Sequence, residues 1–386
     1  MKIKLNFCRT AFILLTASLF LAGGCSKKES TSSSSSASSS STSSASSGSL
    51  PVTEITQSVD GGYNTGSFTV PSDSVSFILS VFRDNNGSTA FYSLSDPDGT
   101  DILSSSSTPT LNNVASGSQG ANGYANVLVP QSPSFSAKAG TWTFKAYSND
   151  RVKLALRSGT TPTSTTIVVQ PYITGTTWAA GDLSAALSVM SSIYSANGIT
   201  LSINSTITIS DSQYAAVSGT FTDATTSALV SQGGIAAVNL FFIEDYSGSW
   251  SGVLGNAAGI PGSIGIANAW NGVLNSLSAH ASGSTLDPQL LGETAAHEMG
   301  HQLGLFHTTE QGGTSFDILS DTAECPKSSM DNDSNGQMSA EECEGYGGEN
   351  VMFWTAWSSS SRSAGKKQET LSSYQQQVLK YSPIAK

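Results

Sequence analysis

In the stretch His297-Glu298-Met299-Gly300-His301-Gln302-Leu303-Gly304-Leu305-Phe306-His307, two imidazoles sit at helical spacing around a carboxylate, and a third follows a glycine. Residues four apart on a helix share one face about 6 Å apart, so His297 and His301 can hold one ion with Glu298 beside them. Asp287 is placed to cap this helix, Pro288 is tolerated in its first turn, and Gly304 suits the left-handed position that ends it. Reversal at Gly304 brings His307 back as a third nitrogen. Three protein ligands leave the fourth position of a tetrahedral zinc ion to water, as a catalytic site requires. Three of the 4 histidines lie in this stretch. His280, alone among Ser, Gly and Ala, reads as a plain surface residue.

Working outward, helical periodicity recurs only at Leu183, Ala186, Leu187, Met190, Ile193 and Tyr194, with Asp182 as the expected N-cap and Gly198 as the stop. Strands are expected at 166–173, 199–209 and 235–244, which with the two helices make an α/β layer. Upstream, short runs alternate apolar and polar residues between turn signals such as Asp84-Asn85-Asn86-Gly87, Asp96-Pro97-Asp98-Gly99 and Ala139-Gly140. Trp142, Phe144 and Ala146 share one face, as do Val152, Leu154 and Leu156, and 75–82 is a third run. That is an all-β sandwich, and 139–144 resembles the last strands of jelly-roll accessory domains of secreted bacterial peptidases. The unit reads as a spacer or stabilising module.

Charged residues make up 12% of the chain, against roughly 25% in ordinary soluble proteins, and the formal charge is −11. No basic surface exists to neutralise phosphates, so nucleic acid is not an expected partner. Lys2, Lys4 and Arg9 precede a largely apolar run over 11–22, too short to span a bilayer, which reads as a signal peptide. It ends in Leu21-Ala22-Gly23-Gly24-Cys25-Ser26, which resembles a bacterial lipobox, implying a lipid-anchored Cys25 followed by a Ser-rich tether. Ser26 then favours the outer membrane or cell surface. With Cys8 removed and Cys25 lipidated, Cys325 and Cys343 remain and are expected to form a disulfide in an exported protein; two unpaired thiols are the alternative. The expected organisation is therefore signal peptide 1–24, lipidated Cys and tether 25–50, β-sandwich 51–158, linker 159–165 and α/β domain 166–386.

The zinc stretch resembles the signature of the metzincin metallopeptidases, a resemblance that covers 166–386 in order but is specific only at its motifs. It implies a Met-containing turn beneath the zinc, for which Met352 in Asn350-Val351-Met352-Phe353 is the candidate. The segment 317–322 is distantly pappalysin-like, although Ala323 stands where Pro is usual. Trp354 occupies the place of a Tyr that several branches use. The resemblance further implies hydrolysis of protein or peptide substrates with Glu298 as general base. Substrate would pair along an exposed strand edge, expected near 255–269. A catalytically idle surface adhesin on the same scaffold is the alternative.

A second metal is expected at 331–342. Asp331-Asn332-Asp333-Ser334-Asn335-Gly336-Gln337-Met338-Ser339-Ala340-Glu341-Glu342 fits the twelve-residue calcium loop at every defined position. The side chains of Asp331, Asp333, Asn335 and Glu342 and the carbonyl of Gln337 would coordinate Ca2+. Pro326 precludes a long leading helix, so the loop reads as structural, bracketed by Cys325 and Cys343.

Overall fold

A computed structural model describes residues 52–82, 90–103, 124–133, 135–147, 151–159 and 165–386. The signal peptide, Cys25, the tether, the turn at 84–87 and all but the ends of the linker lie outside these residues. Among the described residues no helix is long and apolar enough to cross a membrane.

Among the described residues the first part of the chain has strands and turns but no helix. β1 (Val52–Glu54), β2 (Gln57–Asp60), β3 (Tyr63–Val70), β4 (Ser74–Phe82), β5 (Phe91–Ser95), β6 (Tyr124–Val129), β7 (Gly140–Tyr147) and β8 (Arg151–Ser158) form two antiparallel sheets, ordered β1-β8-β4-β6 and β2-β3-β7-β5. Along β7, Trp142, Phe144 and Ala146 are buried while Thr141, Thr143 and Lys145 are exposed, as period-two patterning requires. One apolar cluster takes Phe68, Trp142 and Phe144 from one sheet and Phe77, Leu79, Val127 and Val152 from the other. Asp96 shapes the turn at 96–99, its Oδ1 accepting from the amides of Asp98 and Thr100.

Strands β4 and β6 depart from alternation. The run 76–82 in β4 and all of β6 are buried, because Ile78, Leu128 and Ala155 face away from the first cluster into a second one shared with the C-terminal part. A sheet covered on both faces reads as a continuous apolar run.

The C-terminal part follows as β9 (Thr165–Thr174), α1 (Ser184–Ala196), β10 (Ile199–Ile203), β11 (Ile207–Ile209), β12 (Ala216–Val217), α2 (Ala224–Val230), β13 (Val238–Ile243), β14 (Asp245–Tyr246), β15 (Gly255–Ala257), β16 (Val273–Ser276), β17 (Ala281–Ser282), β18 (Thr285–Leu286) and α3 (Pro288–Gln302). Three short helices end it: α4 (Lys327–Met330), α5 (Ser359–Ser363) and α6 (Ser373–Tyr381). The central sheet runs β10-β9-β13-β16-β15 with β11 also on β9, all parallel except β15, which is antiparallel to β16 and forms the edge. β9 starts at Thr165, at the end of the expected linker.

α1 and α3 share one cluster with the sheet, through Met190, Tyr194, Leu291, Ala295 and Met299. Their approach depends on Gly292, where a Cβ would lie 2.7 Å from the Ala186 carbonyl oxygen. α2 helps cover a separate cluster of Tyr172, Phe241, Leu274, Leu229 and Val230. Asp182 is not the cap of α1: it sits in a 3-10 turn at 180–183 and its carboxylate accepts from the Ala179 amide at 2.8 Å. His280 is not a surface residue. It is 2% exposed, held under α3 by contacts to the Ser276 carbonyl and the Thr294 hydroxyl.

Candidate metal centre

α3 begins where Asp287 Oδ1 accepts from the amides of Gln289 and Leu290, with Pro288 at its first position. It ends at Gln302, and Gly304 follows at φ +110°, a conformation that costs glycine little. His297 and His301 are one turn apart on this helix, and the reversal at Gly304 returns His307 to them. The Nε2 atoms of His301 and His307 are 3.1 Å apart and those of His307 and His297 are 3.2 Å apart.

Those short nitrogen contacts are not hydrogen bonds. His297 Nδ1 lies 2.7 Å from the Val351 carbonyl, His301 Nδ1 2.7 Å from the Leu305 carbonyl and His307 Nδ1 3.0 Å from Glu310 Oε2. Each partner only accepts, so each Nδ1 carries a proton, and the neutral ring of that tautomer presents its lone pair at Nε2. Burial, with neighbouring imidazoles adding to it, holds His297 down at about 3 and His301 well below the usual range, so both rings are neutral. Three lone pairs converging in this way fit one electrophilic ion. Nitrogens about 2.0–2.1 Å from a tetrahedral zinc would stand roughly 3.3 Å apart, close to the separations found.

Met352 is fully buried beneath the helix: a Cβ on Gly300 would lie 2.4 Å from its Sδ. Its carbonyl accepts from the Thr308 amide at 3.0 Å, and its amide donates to Asn350 Oδ1 at 2.8 Å. The Met352 turn thus touches His297 through Val351 and the third-histidine segment through Thr308. Trp354 donates from Nε1 to the Met338 carbonyl.

Glu298 is buried, and burial pushes its carboxyl up to about 8. It lies against Gly255 of β15, where a Cβ would stand 2.7 Å from Glu298 Oε1 and 2.6 Å from its Cγ. The edge strand therefore passes directly beside the carboxylate, and of the 255–269 stretch Gly255–Ala257 forms that edge. Cys325 and Cys343 form the disulfide. Carboxylate oxygens of Asp331, Asp333 and Glu342 gather within 4.8 Å of one another, as do the three histidines.

Motif reading did not single out Glu310 or Gln131. Glu310 follows His307 by three residues, a spacing at which a carboxylate partner could have been sought. Burial works against its ionisation, yet the His307 contact holds it below the ordinary carboxylate range. Gln131, from the loop after β6, donates to the Gly304 carbonyl at 3.2 Å, and no local signal announces that contact.

Comparison with known proteins finds likenesses to metallopeptidases. A family model described as Metallo-peptidase family M12B Reprolysin-like matches residues 181–308, so the region from just before α1 to just past the third histidine is similar to metallopeptidases of that family. Among curated proteins, Extracellular metalloprotease 1 of Coccidioides posadasii (strain C735) is 41% identical over 93 residues, 24% of this chain. The chain spans 32% of the length of that relative. Among solved structures, metalloproteinase-II from Bacteroides fragilis is 16% identical, with a TM-score of 0.27 over 41% of this chain and 47% of that one.

Proposed function

We propose that the chain is an exported zinc endopeptidase of the metzincin type, acting on extracellular or envelope proteins and tethered to the envelope by lipid on Cys25. The convergence of three imidazoles at Nε2, with Glu298 adjacent, carries this reading. Export is supported by the extracellular relative and by the signal-like N-terminus, and the anchor by the lipobox resemblance. The two N-terminal sheets read as the faces of a jelly-roll-like sandwich.

His297, His301 and His307 would hold zinc through Nε2, kept in that tautomer by Val351, Leu305 and Glu310. Zinc, when bound, supplies Lewis acidity toward the scissile carbonyl and makes water a competent nucleophile near neutral pH. Because burial alone raises the Glu298 carboxyl, its ionisation would rest on the positive charge of a bound metal beside it; as a carboxylate it would take a proton from the attacking water and deliver it to the leaving amine nitrogen. β15 offers an unpaired strand edge beside Glu298, along which an extended peptide can add as a further strand. Met352 supports the helix face that carries the ligands.

A casein or peptide digest with wild type, with Glu298→Ala and with a chelator tests the reading. Hydrolysis is expected from wild type alone, and turnover surviving in Glu298→Ala would refute the assigned base. For the anchor, fatty-acid labelling should disappear in Cys25→Ala; undiminished labelling overturns that part.

A further inference from the structure

The loop 331–342 plays no part in the hydrolysis, yet it concentrates negative charge. Carboxylate oxygens of Asp331, Asp333 and Glu342 lie within 4.8 Å of one another, an arrangement that like charges oppose unless a cation joins them. Asp331 adds a second, separate sign. Its side chain is only 8% exposed and its Oδ1 is buried with no hydrogen-bond partner, a costly state for a carboxylate oxygen. Its Oδ2 accepts from the Gly336 amide at 3.1 Å, with Lys327 Nζ no nearer than 4.0 Å. Glu342 is held from both sides, Oε1 by the amides of Asn332 and Asp333, Oε2 by the amide and hydroxyl of Ser339.

We propose that this loop binds Ca2+ and that the ion clamps the backbone behind the third zinc ligand. Asp331, Asp333, Asn335, the Gln337 carbonyl and both oxygens of Glu342 form an all-oxygen set, suited to a hard cation with irregular high coordination rather than to zinc or to octahedral magnesium. The far side of the loop grips the zinc centre's surroundings. The Met338 amide donates to the Gln311 carbonyl at 2.9 Å, and Gln311 Nε2 donates to Gln337 Oε1 at 2.8 Å. Gln311 adjoins Glu310, which holds His307 Nδ1. On the opposite flank the Met338 carbonyl accepts from Trp354, two residues past Met352. The Cys325–Cys343 disulfide closes the chain around this loop. Cation binding stands on the loop alone; its effect on zinc rests on the peptidase reading.

The test uses the full exported chain, stripped of calcium with zinc retained, and Tb3+ luminescence excited through tryptophan, since Trp354 and Trp357 pack against Met338. Saturable emission displaced by Ca2+ in the submillimolar to millimolar range, but not by equal Mg2+, is expected. Glu342→Gln should weaken Ca2+ at least about tenfold, and Asp333→Asn, at an exposed position, should do the same if Glu342→Gln does not fold. Glu298→Gln should bind Ca2+ as wild type does, which separates this site from failure of the hydrolytic reading. Emission that Ca2+ does not displace, or displacement unchanged in both loop variants, overturns the site. Ca2+ should also slow zinc release to a chromogenic chelator by about tenfold or more; release that ignores Ca2+ overturns the clamp.

Discussion

Gln131 reaches from the loop after β6 to donate its Nε2 hydrogen bond to the carbonyl of Gly304, 173 residues away in sequence and at 3.2 Å in space. The all-strand part of the chain thereby supports the turn that returns His307 to the other two histidines. Leu128 of β6 packs at the same place, its Cδ2 lying 2.8 Å from where a Gly304 Cβ would be, and Asn126 donates to the Pro261 carbonyl at 3.1 Å. Removing the amide in Gln131→Ala leaves a buried carbonyl unpaired and should cost about 1–2 kcal/mol in denaturant unfolding. Gly304→Ala adds backbone strain of about 1–3 kcal/mol and a steric conflict with Leu128. Wild-type stability in Gln131→Ala would show that this contact supports nothing.

Glu310 orients His307 from outside the ligand set. Glu310→Ala should lower zinc affinity by about 10- to 100-fold while the fold survives, because His307 then loses the acceptor on Nδ1. Competition with a zinc-binding dye reads this directly. Unchanged affinity would mean that the Glu310 contact does not fix the ring.

The absence of a side chain at Gly255 makes room for Glu298, the base of the proposed reaction. Gly255→Ala would push a methyl group to within 2.7 Å of Glu298 Oε1, so the carboxylate must shift. Displacement of a catalytic group by about 1 Å can cost on the order of 100-fold in rate. We expect that loss in kcat with zinc content at the wild-type level; equal kcat would mean that Glu298 is not confined as described.

His280 should make the protein acid-sensitive. Burial lowers it from 6.5 to about 4, so between those values the unfolded chain binds a proton that the native state does not. Stability then falls as pH drops from about 6.5 and levels off below about 4, with a total of order 3 kcal/mol. Protonating Nε2 would also reverse the contact with Thr294, whose hydroxyl must then accept where it had donated. In His280→Gln the pH dependence of unfolding should be shallower over this window. Identical slopes in the two proteins would sink the assignment.

The histidine spacing, the capping Asp287, the left-handed Gly304 and the calcium-loop pattern were all legible because each is local: helix pitch and turn chemistry are set within a dozen residues. The alternation in β7 was legible for the same reason, since its polar face meets solvent. Met352 could be named only through resemblance to a family, and its place under Gly300 is a matter of packing between segments far apart in the chain.

The sequence by itself singled out His297, His301, His307 and the 331–342 loop as candidate metal ligands and Glu298 as the candidate base. Tertiary structure alone decided that 76–82 of β4 is covered on both faces, that His280 is buried and that Asp182 caps a different turn. It alone brought Gln131 to the turn at Gly304, and it set Gly255 against Glu298. The reason is physical: ligand chemistry and local turns follow from residue type and spacing, whereas burial and long-range hydrogen bonds depend on which surfaces close over one another when the two parts of the chain pack together.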